Sequence, residues 1–153
     1  MPHIHDKIDF TVEVFIVYKG KVLLRKHDKY KIWLSVGGHI ELDEDPNEAT
    51  LREVKEEVGL DVKLVDTRAV DVSDEESKDL IPPFAMNRHR ISDTHEHVTF
   101  VYFARASTDK IVADNKNEIS DEIKWCTKEN IDKLSPIRKN VVAYAKRALD
   151  EVK

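Results

Sequence analysis

The chain contains a single cysteine, Cys126. That excludes an internal disulfide framework and fits a reducing compartment, so the expectation is a cytoplasmic protein held together by packing. Also missing is any apolar run near the roughly 20 residues that cross a bilayer. The first residues, Met1-Pro2-His3-Ile4-His5-Asp6, carry no signal-peptide core, and no membrane contact is expected. There is no positive excess: 25 Lys and Arg stand against 30 Asp and Glu. Without a basic stripe the chain is not an electrostatic binder of duplex DNA. Phosphate-bearing ligands stay open, because metal ions cancel the charge of site and ligand alike. The GxxxxGK[ST] loop, the GxGxxG turn, the GxSxG elbow and paired CxxC motifs are all absent, as are repeats and low-complexity tails. The length of 153 residues fits one domain, 1–153, able to bury about two thirds of its unfolded surface.

What the chain has in excess is carboxylate, concentrated in one place. Between Glu41 and Glu57 eight acids (Glu41, Asp43, Glu44, Asp45, Glu48, Glu53, Glu56, Glu57) face two bases, Arg52 and Lys55. The net charge there is −6 while the whole chain is −5, so the rest is close to neutral. Two of the four glycines, Gly37 and Gly38, precede this stretch and a third, Gly59, follows it. Asp45 as N-cap, Pro46 at the first helical position and Glu48 as partner in a capping box predict a helix from Pro46, which Gly59 ends after Val58. At about 100° per residue, Glu53, Glu56 and Glu57 share one third of the circumference beside an apolar stripe of Leu51, Val54 and Val58. Like charges at these spacings each cost a few tenths of a kcal/mol. A divalent cation reverses that sign, and an all-oxygen ligand set suits Mg²⁺ first and Mn²⁺ second.

The run Gly38, Glu44, Arg52-Glu53-Val54, Glu56-Glu57, Gly59-Leu60 resembles the signature box of the Nudix hydrolases. That box is a glycine, five residues, Glu, seven residues, then Arg-Glu-apolar-x-Glu-Glu-x-Gly-apolar, and every fixed position is matched. With each fixed residue at about 7% abundance or less, coincidence is on the order of one in a million. The resemblance implies the Nudix fold, an α/β class built as an α/β/α sandwich with a mixed sheet. It implies Mg²⁺-dependent hydrolysis of the pyrophosphate bond in a nucleoside diphosphate linked to another group. Glu56 and Glu57 are the first candidates for metal ligands, and Glu53 is either a third ligand or the general base. A backbone carbonyl at Gly37 or Gly38 adds a ligand in the family. Arg52 joins the catalytic set by orienting Glu53 or Glu44, and Glu44 is also a candidate for a second ion. Gly38, Glu44 and Gly59 shape the loop of the box. Val36 stands where family members often have proline.

Elsewhere, residues 8–18 predict a strand covered on both faces, Lys19-Gly20 a hairpin turn and Val22–Lys26 the returning strand. Ile32–Val36 is a short apolar piece, Asp61–Val72 a valine-rich strand, and 73–92 a long connection without clear period. Such a connection is either a substrate-covering loop, with Phe84 or Arg88 near the ligand, or a surface insertion. Val98–Ala104 predicts a central strand. It is preceded by His95-Glu96-His97, where Glu96 is a candidate base or metal ligand by resemblance and His97 a candidate contact to phosphate or ribose. Lys110–Ser120 is a polar loop, Glu122–Cys126 a strand, Lys128–Leu134 a helical turn, and Pro136 opens a C-terminal amphipathic helix. Trp125 and Cys126 are expected in the core. Tyr30, Trp33 and Phe84 are candidates to stack a base, each equally suited to internal packing.

The expected partner is a nucleotide-type small molecule: a nucleoside triphosphate including oxidised forms, a dinucleoside polyphosphate, a nucleotide sugar such as ADP-ribose, or a capped RNA end. A homodimer is compatible with the sequence. The alternative function is a nucleotide-sensing or regulatory domain that binds without turnover. Glutamine at Glu56 or Glu57 is expected to remove turnover and leave folding nearly intact.

Overall fold

In a computed structural model, which describes residues 6–112 and 120–153, two long strands form the spine. They are β1 (Ile8–Tyr18) and β7 (Glu96–Ala106), which run parallel from Ile8↔Glu96 to Val17↔Arg105. Both are rich in β-branched and aromatic residues and, over their C-terminal halves, apolar on both faces, as a strand must be where a helix covers each side. Val12, Val14, Ile16, Tyr102 and Ala104 meet Val54 and Val58 of helix α1 (Pro46–Val58). On the other face Phe15, Val17, Val101 and Phe103 meet Val141, Ala145 and Ala148 of helix α3 (Lys139–Glu151). The result is the expected α/β/α sandwich.

The remaining strands pair antiparallel and make the sheet mixed. Lys19 and Gly20, both at positive φ (46° and 75°), turn β1 into β2 (Lys21–His27), the turn geometry that matches strand twist. The two strands then part: they pair at Val17↔Val22 and Tyr18↔Lys21. Into the gap run β3 (Trp33–Leu34), paired with β2, and β4 (Val36–His39), paired with β1 through Thr11↔His39 to Val14↔Val36. β5 (Val62–Leu64) and β6 (Ala85–Arg90) pair with β7, and β8 (Ser120–Cys126) with β2. A short helix, α2 (Lys128–Asp132), is capped by Thr127.

α1 has the predicted bounds and caps. Asp45 accepts from the Glu48 amide, Glu48 accepts from the Asp45 amide, and Gly59 at φ 67° donates to the carbonyls of Val54 and Lys55. Its buried face differs from the prediction. Leu51 is exposed, while Glu53 and Glu57 lie buried beside Val54 and Val58.

Three other expectations are corrected. The strand predicted for 61–72 ends at Leu64; Val70 and Val72 are exposed, and Arg68 ties the segment down through Asp66 and the Asp79 carbonyl. Part of the connection predicted without period is β6, whose Met-Asn-Arg-His-Arg run puts polar residues on both faces. Pro136 does not open α3: the Trp33 amide donates to its carbonyl, and the helix begins at Lys139. Most of the predicted 110–120 loop, residues 113–119, lies outside the described residues, and Ser120 already belongs to β8. Trp125 is half-buried and Cys126 is buried.

Gly59 is required by more than its angle, since a Cβ there would run into the Val112 carbonyl group. Left-handed strain and forced repacking together predict that Gly59→Ala loses about 2–4 kcal/mol. Urea unfolding of the two proteins measures the difference.

Candidate active site

The site is built where β4 crosses the middle of α1. Gly38 lies against Glu53, and a Cβ at Gly38 would occupy the space of the Glu53 carboxyl group. Arg52 then gathers the surrounding groups. Its Nε and Nη2 donate to the two oxygens of Glu44 at 3.0 and 2.7 Å, its Nη1 to Glu53 at 3.0 Å and Glu56 at 3.2 Å, and Nη2 also to the His39 carbonyl at 3.0 Å. The fork-to-carboxylate bond with Glu44 is the geometry that guanidinium suits and ammonium does not. The Arg52 hydrogen bond holds the Glu44 carboxyl below its ordinary range, and Glu44 in turn holds the guanidinium above its own. Glu57, 3% exposed, pairs with Arg25 of β2, whose Nε lies 3.0 Å from its Oε2 and also donates to the Ser35 carbonyl.

Through Arg25, Gly38 and His39, which touch both, this array adjoins an open cavity of about 270 Å³, at the small end of ligand sites. Alternation on β1 sorts its lining. Val12 and Val14 face α1, whereas Thr11 and Glu13 face the cavity together with Thr99, His97, His89 and His39. Glu13 accepts from the Ser35 hydroxyl at 2.8 Å, and Thr11 and Thr99 share a 2.7 Å bond between their hydroxyls. Burial pushes the Glu13 carboxyl up, opposed by the Ser35 bond and then by Arg138. The His97 imidazole is pushed down to about 4, first by burial and then by the neighbouring His39, His89 and His95.

The NUDIX domain family profile matches residues 9–145. The chain belongs to the Nudix family. Among solved structures, a hydrolase of the NUDIX family from Clostridium perfringens is 38% identical, with 95% of this chain and 98% of that one covered and a TM-score of 0.86. A MutT NUDIX hydrolase from Burkholderia pseudomallei is 18% identical, covers 97% and 100%, and has a TM-score of 0.67. An ADP-ribose pyrophosphatase from Streptococcus suis is 18% identical, covers 93% and 90%, and has a TM-score of 0.56. These last two show the shared fold. No curated protein matches. The enzyme class is that of the Nudix pyrophosphohydrolases.

Nudix hydrolases use divalent metal ions, and the donor set here fits one. Five carboxylates (Glu41, Glu44, Glu53, Glu56 and Glu57) surround the two guanidinium groups of Arg25 and Arg52. A divalent cation offsets the excess of acid over base. The missing Cβ of Gly38 gives the Glu53 carboxyl its room.

The Nudix helix therefore brings Glu44, Arg52, Glu53 and Glu56 together, with Gly37 and Gly38 on the adjoining strand. Tyr30, 64% exposed, and His97 line the cavity. The other expected substrate contacts are elsewhere. Trp33 is 3% exposed in the α3-side core, under the Lys124 ammonium. Phe84 stacks on Phe103 at 4.3 Å in the same layer, so it belongs to no covering loop. Glu96 and Arg88 hold each other by two bonds of 2.7 and 2.9 Å, and neither lines the cavity. Arg25, Glu13 and Asp9 were not anticipated. Arg25 and Glu13 carry a weak signal, a charge inside an otherwise apolar strand, but their partners are distant in sequence.

Arg52→Lys keeps the charge and loses the fork, so the carboxylates shift. We expect turnover to fall on the order of tenfold to hundredfold with the circular dichroism spectrum unchanged, which steady-state kinetics will report. Glu13 gives a pH signature. Its raised folded-state value means that its contribution to stability is present below the ordinary value of 4.5 and is lost as pH rises through the folded value. Glu13→Gln, which mimics the protonated acid, should raise the melting temperature near neutral pH and have little effect below pH 4.5. Thermal melts across pH test this.

Proposed function

We propose that the protein hydrolyses the pyrophosphate bond of a nucleoside diphosphate linked to another group, with Mg²⁺ as the working ion and Mn²⁺ as a substitute. The observation that carries this is the carboxylate array gathered by Arg52 beside a cavity that Glu13, Arg25, His39 and His97 help to line. Glu56, Glu57 and the Gly37 carbonyl would hold the cation, which when bound would neutralise charge on the diphosphate and polarise the phosphoryl oxygens. Glu53, buried between Gly38 and Arg52, takes the proton of the attacking water. Glu53 is preferred to Glu96 for that role because Glu96 is engaged in a bidentate pair with Arg88.

The cavity suits one ring system rather than a whole dinucleotide. Tyr30 at its rim offers an exposed ring face to a base or sugar. The polar groups of Thr11, Glu13, Ser35 and Thr99 supply a hydrogen-bonding wall. Arg25 lines the same cavity while paired to Glu57, which puts a positive charge between array and substrate. Proteins of the same fold include a UDP-X diphosphatase, 17% identical with a TM-score of 0.65, and the ADP-ribose pyrophosphatase above. Nucleotide sugars are accordingly the first substrates to try.

Purified protein with Mg²⁺ should convert ADP-ribose, a UDP-sugar, a nucleoside triphosphate or a dinucleoside polyphosphate to a nucleoside phosphate and a second phosphorylated product, separable by mass. Glu56→Gln should lower kcat by at least about 100-fold with the fold retained, since Glu56 is exposed. Glu57→Gln should in addition cost about 3–5 kcal/mol by leaving the buried Arg25 charge without its carboxylate, so the expectation that folding would survive there is revised. Nucleotide binding without turnover across the panel would sink the proposal.

A further inference from the structure

On the sheet face opposite α1, one carboxylate is shared by several imidazoles. Asp9, 2% exposed, lies with its Oδ2 3.2 Å from His95 Nε2 and 3.4 Å from His39 Nε2. Asp9, His95 and His97 each present a ligand atom, all within 4.8 Å of one another. The Nε2 atoms of His39, His95 and His97 are shielded from solvent. The His97 ring centre is 5.0 Å from that of His39, 5.3 Å from His95 and 5.7 Å from His89, each edge to face. Strand register explains the gathering: β4, β1, β7 and β6 lie side by side, and His97 sits directly across from both Asp9 and His89.

We propose that Asp9, His39, His95 and His97 form a second metal site, of the imidazole-and-carboxylate type that takes Zn²⁺. Tetrahedral ligands at zinc distances of about 2.0–2.1 Å are separated by about 3.3–3.4 Å, and the two separations measured from Asp9 Oδ2 bracket that edge. Three nitrogens and one oxygen suit zinc and disfavour Mg²⁺, which takes oxygen. The outer contacts match what zinc-bound imidazoles need. His95 Nδ1 faces the Asp6 carbonyl at 3.4 Å, and a carbonyl only accepts, so in the neutral, metal-binding imidazole Nδ1 would carry the hydrogen and Nε2 would be the ligand atom beside Asp9. The 3.2 Å approach of His95 Nε2 to Asp9 Oδ2 is one that a bound cation would bridge, and Zn²⁺ takes both donors. His39 and His97 also line the cavity, which gives an ion a path in. The site is distinct from the carboxylate array of α1 and does not depend on the hydrolase proposal.

The test is metal binding by the full chain with saturating Mg²⁺ present, using Zn²⁺ and, as a spectroscopic substitute, Co²⁺. Expected are one tightly held Zn²⁺ per chain, visible Co²⁺ bands of tetrahedral intensity without thiolate charge transfer, and a melting temperature raised by Zn²⁺. Asp9→Asn and His95→Gln should each weaken Zn²⁺ binding by at least about tenfold, the scale that even an outer-shell partner carries. Glu56→Gln, and a double variant His3→Gln, His5→Gln, should bind as the parent does. The wild-type Co²⁺ spectrum needs no variant, so a misfolded mutant would not leave the question open. Weak octahedral Co²⁺ bands, loss of Zn²⁺ in Glu56→Gln, or undiminished binding by Asp9→Asn would each overturn the proposal. The proposal would then give way to imidazolium–carboxylate pairing at this cluster.

Discussion

The structure depends on one guanidinium group. Arg52 is the positive charge among Glu44, Glu53 and Glu56, and the same group takes the carbonyl of His39 in β4. Without it, acids at helical spacing on one face repel each other, and the first turns of α1 would be destabilised where the site needs rigidity. Its reach is fixed by local features. The capping box sets the rotational phase of the helix from Asp45, so Arg52 emerges toward Glu44 and not toward solvent. Gly38 lets the strand approach until the Glu53 carboxyl fills the space of the absent side chain. Loop, strand and helix are thus held by polar contacts, and the apolar contacts of Val54 and Val58 press them onto the sheet.

The second constraint is the alternation of a single strand. β1 presents Val12, Val14 and Ile16 to α1, and its other side changes character along its length. Phe15 and Val17 pack under α3, while Thr11 and Asp9 continue the same face beyond the helix as buried polar groups. Where the apolar half stops, the cavity starts. Because β2 parts from β1 at the same level, Arg25 can pair with Glu57 on one side and still line the cavity on the other.

How much of this could be read from the sequence follows from how far apart the partners lie. α1 was legible to its terminal residues, since caps, proline and glycine act on their immediate neighbours. The spine strands were legible because apolar runs on both faces have few other solutions. The exposed valines at 70 and 72 misled for the complementary reason: β-branched residues signal a strand only where a neighbour pairs with them, and there Arg68 holds the chain instead. β6 was invisible because its edge of the sheet tolerates polar residues on both faces. The burial of Glu53 and Glu57 contradicts the polarity that a helical wheel assigns them. It is permitted by Arg52 beside one and Arg25 beside the other, and Arg25 lies in a strand that nothing local connects to the box. Trp33 and Phe84 illustrate that an aromatic residue carries no mark distinguishing a stacking platform from a core block.

β4 connects the two faces of the sheet. Residues 37 and 39 turn to the cavity side and residue 38 to the helix side, because successive positions in a strand point oppositely. The imidazole of His39 therefore joins Asp9 and His97, while its carbonyl accepts from Arg52 and its neighbour Gly38 accommodates Glu53. An ion held by the histidines would fix the side chain of a residue whose main-chain carbonyl accepts from Arg52. The four residues of β4 are paired to β1 along their whole length, so the strand has little freedom to move one face without the other. The geometry that makes the glycine strand a close-fitting wall for the carboxylates is then the same geometry that would transmit occupancy of the histidine cluster to them.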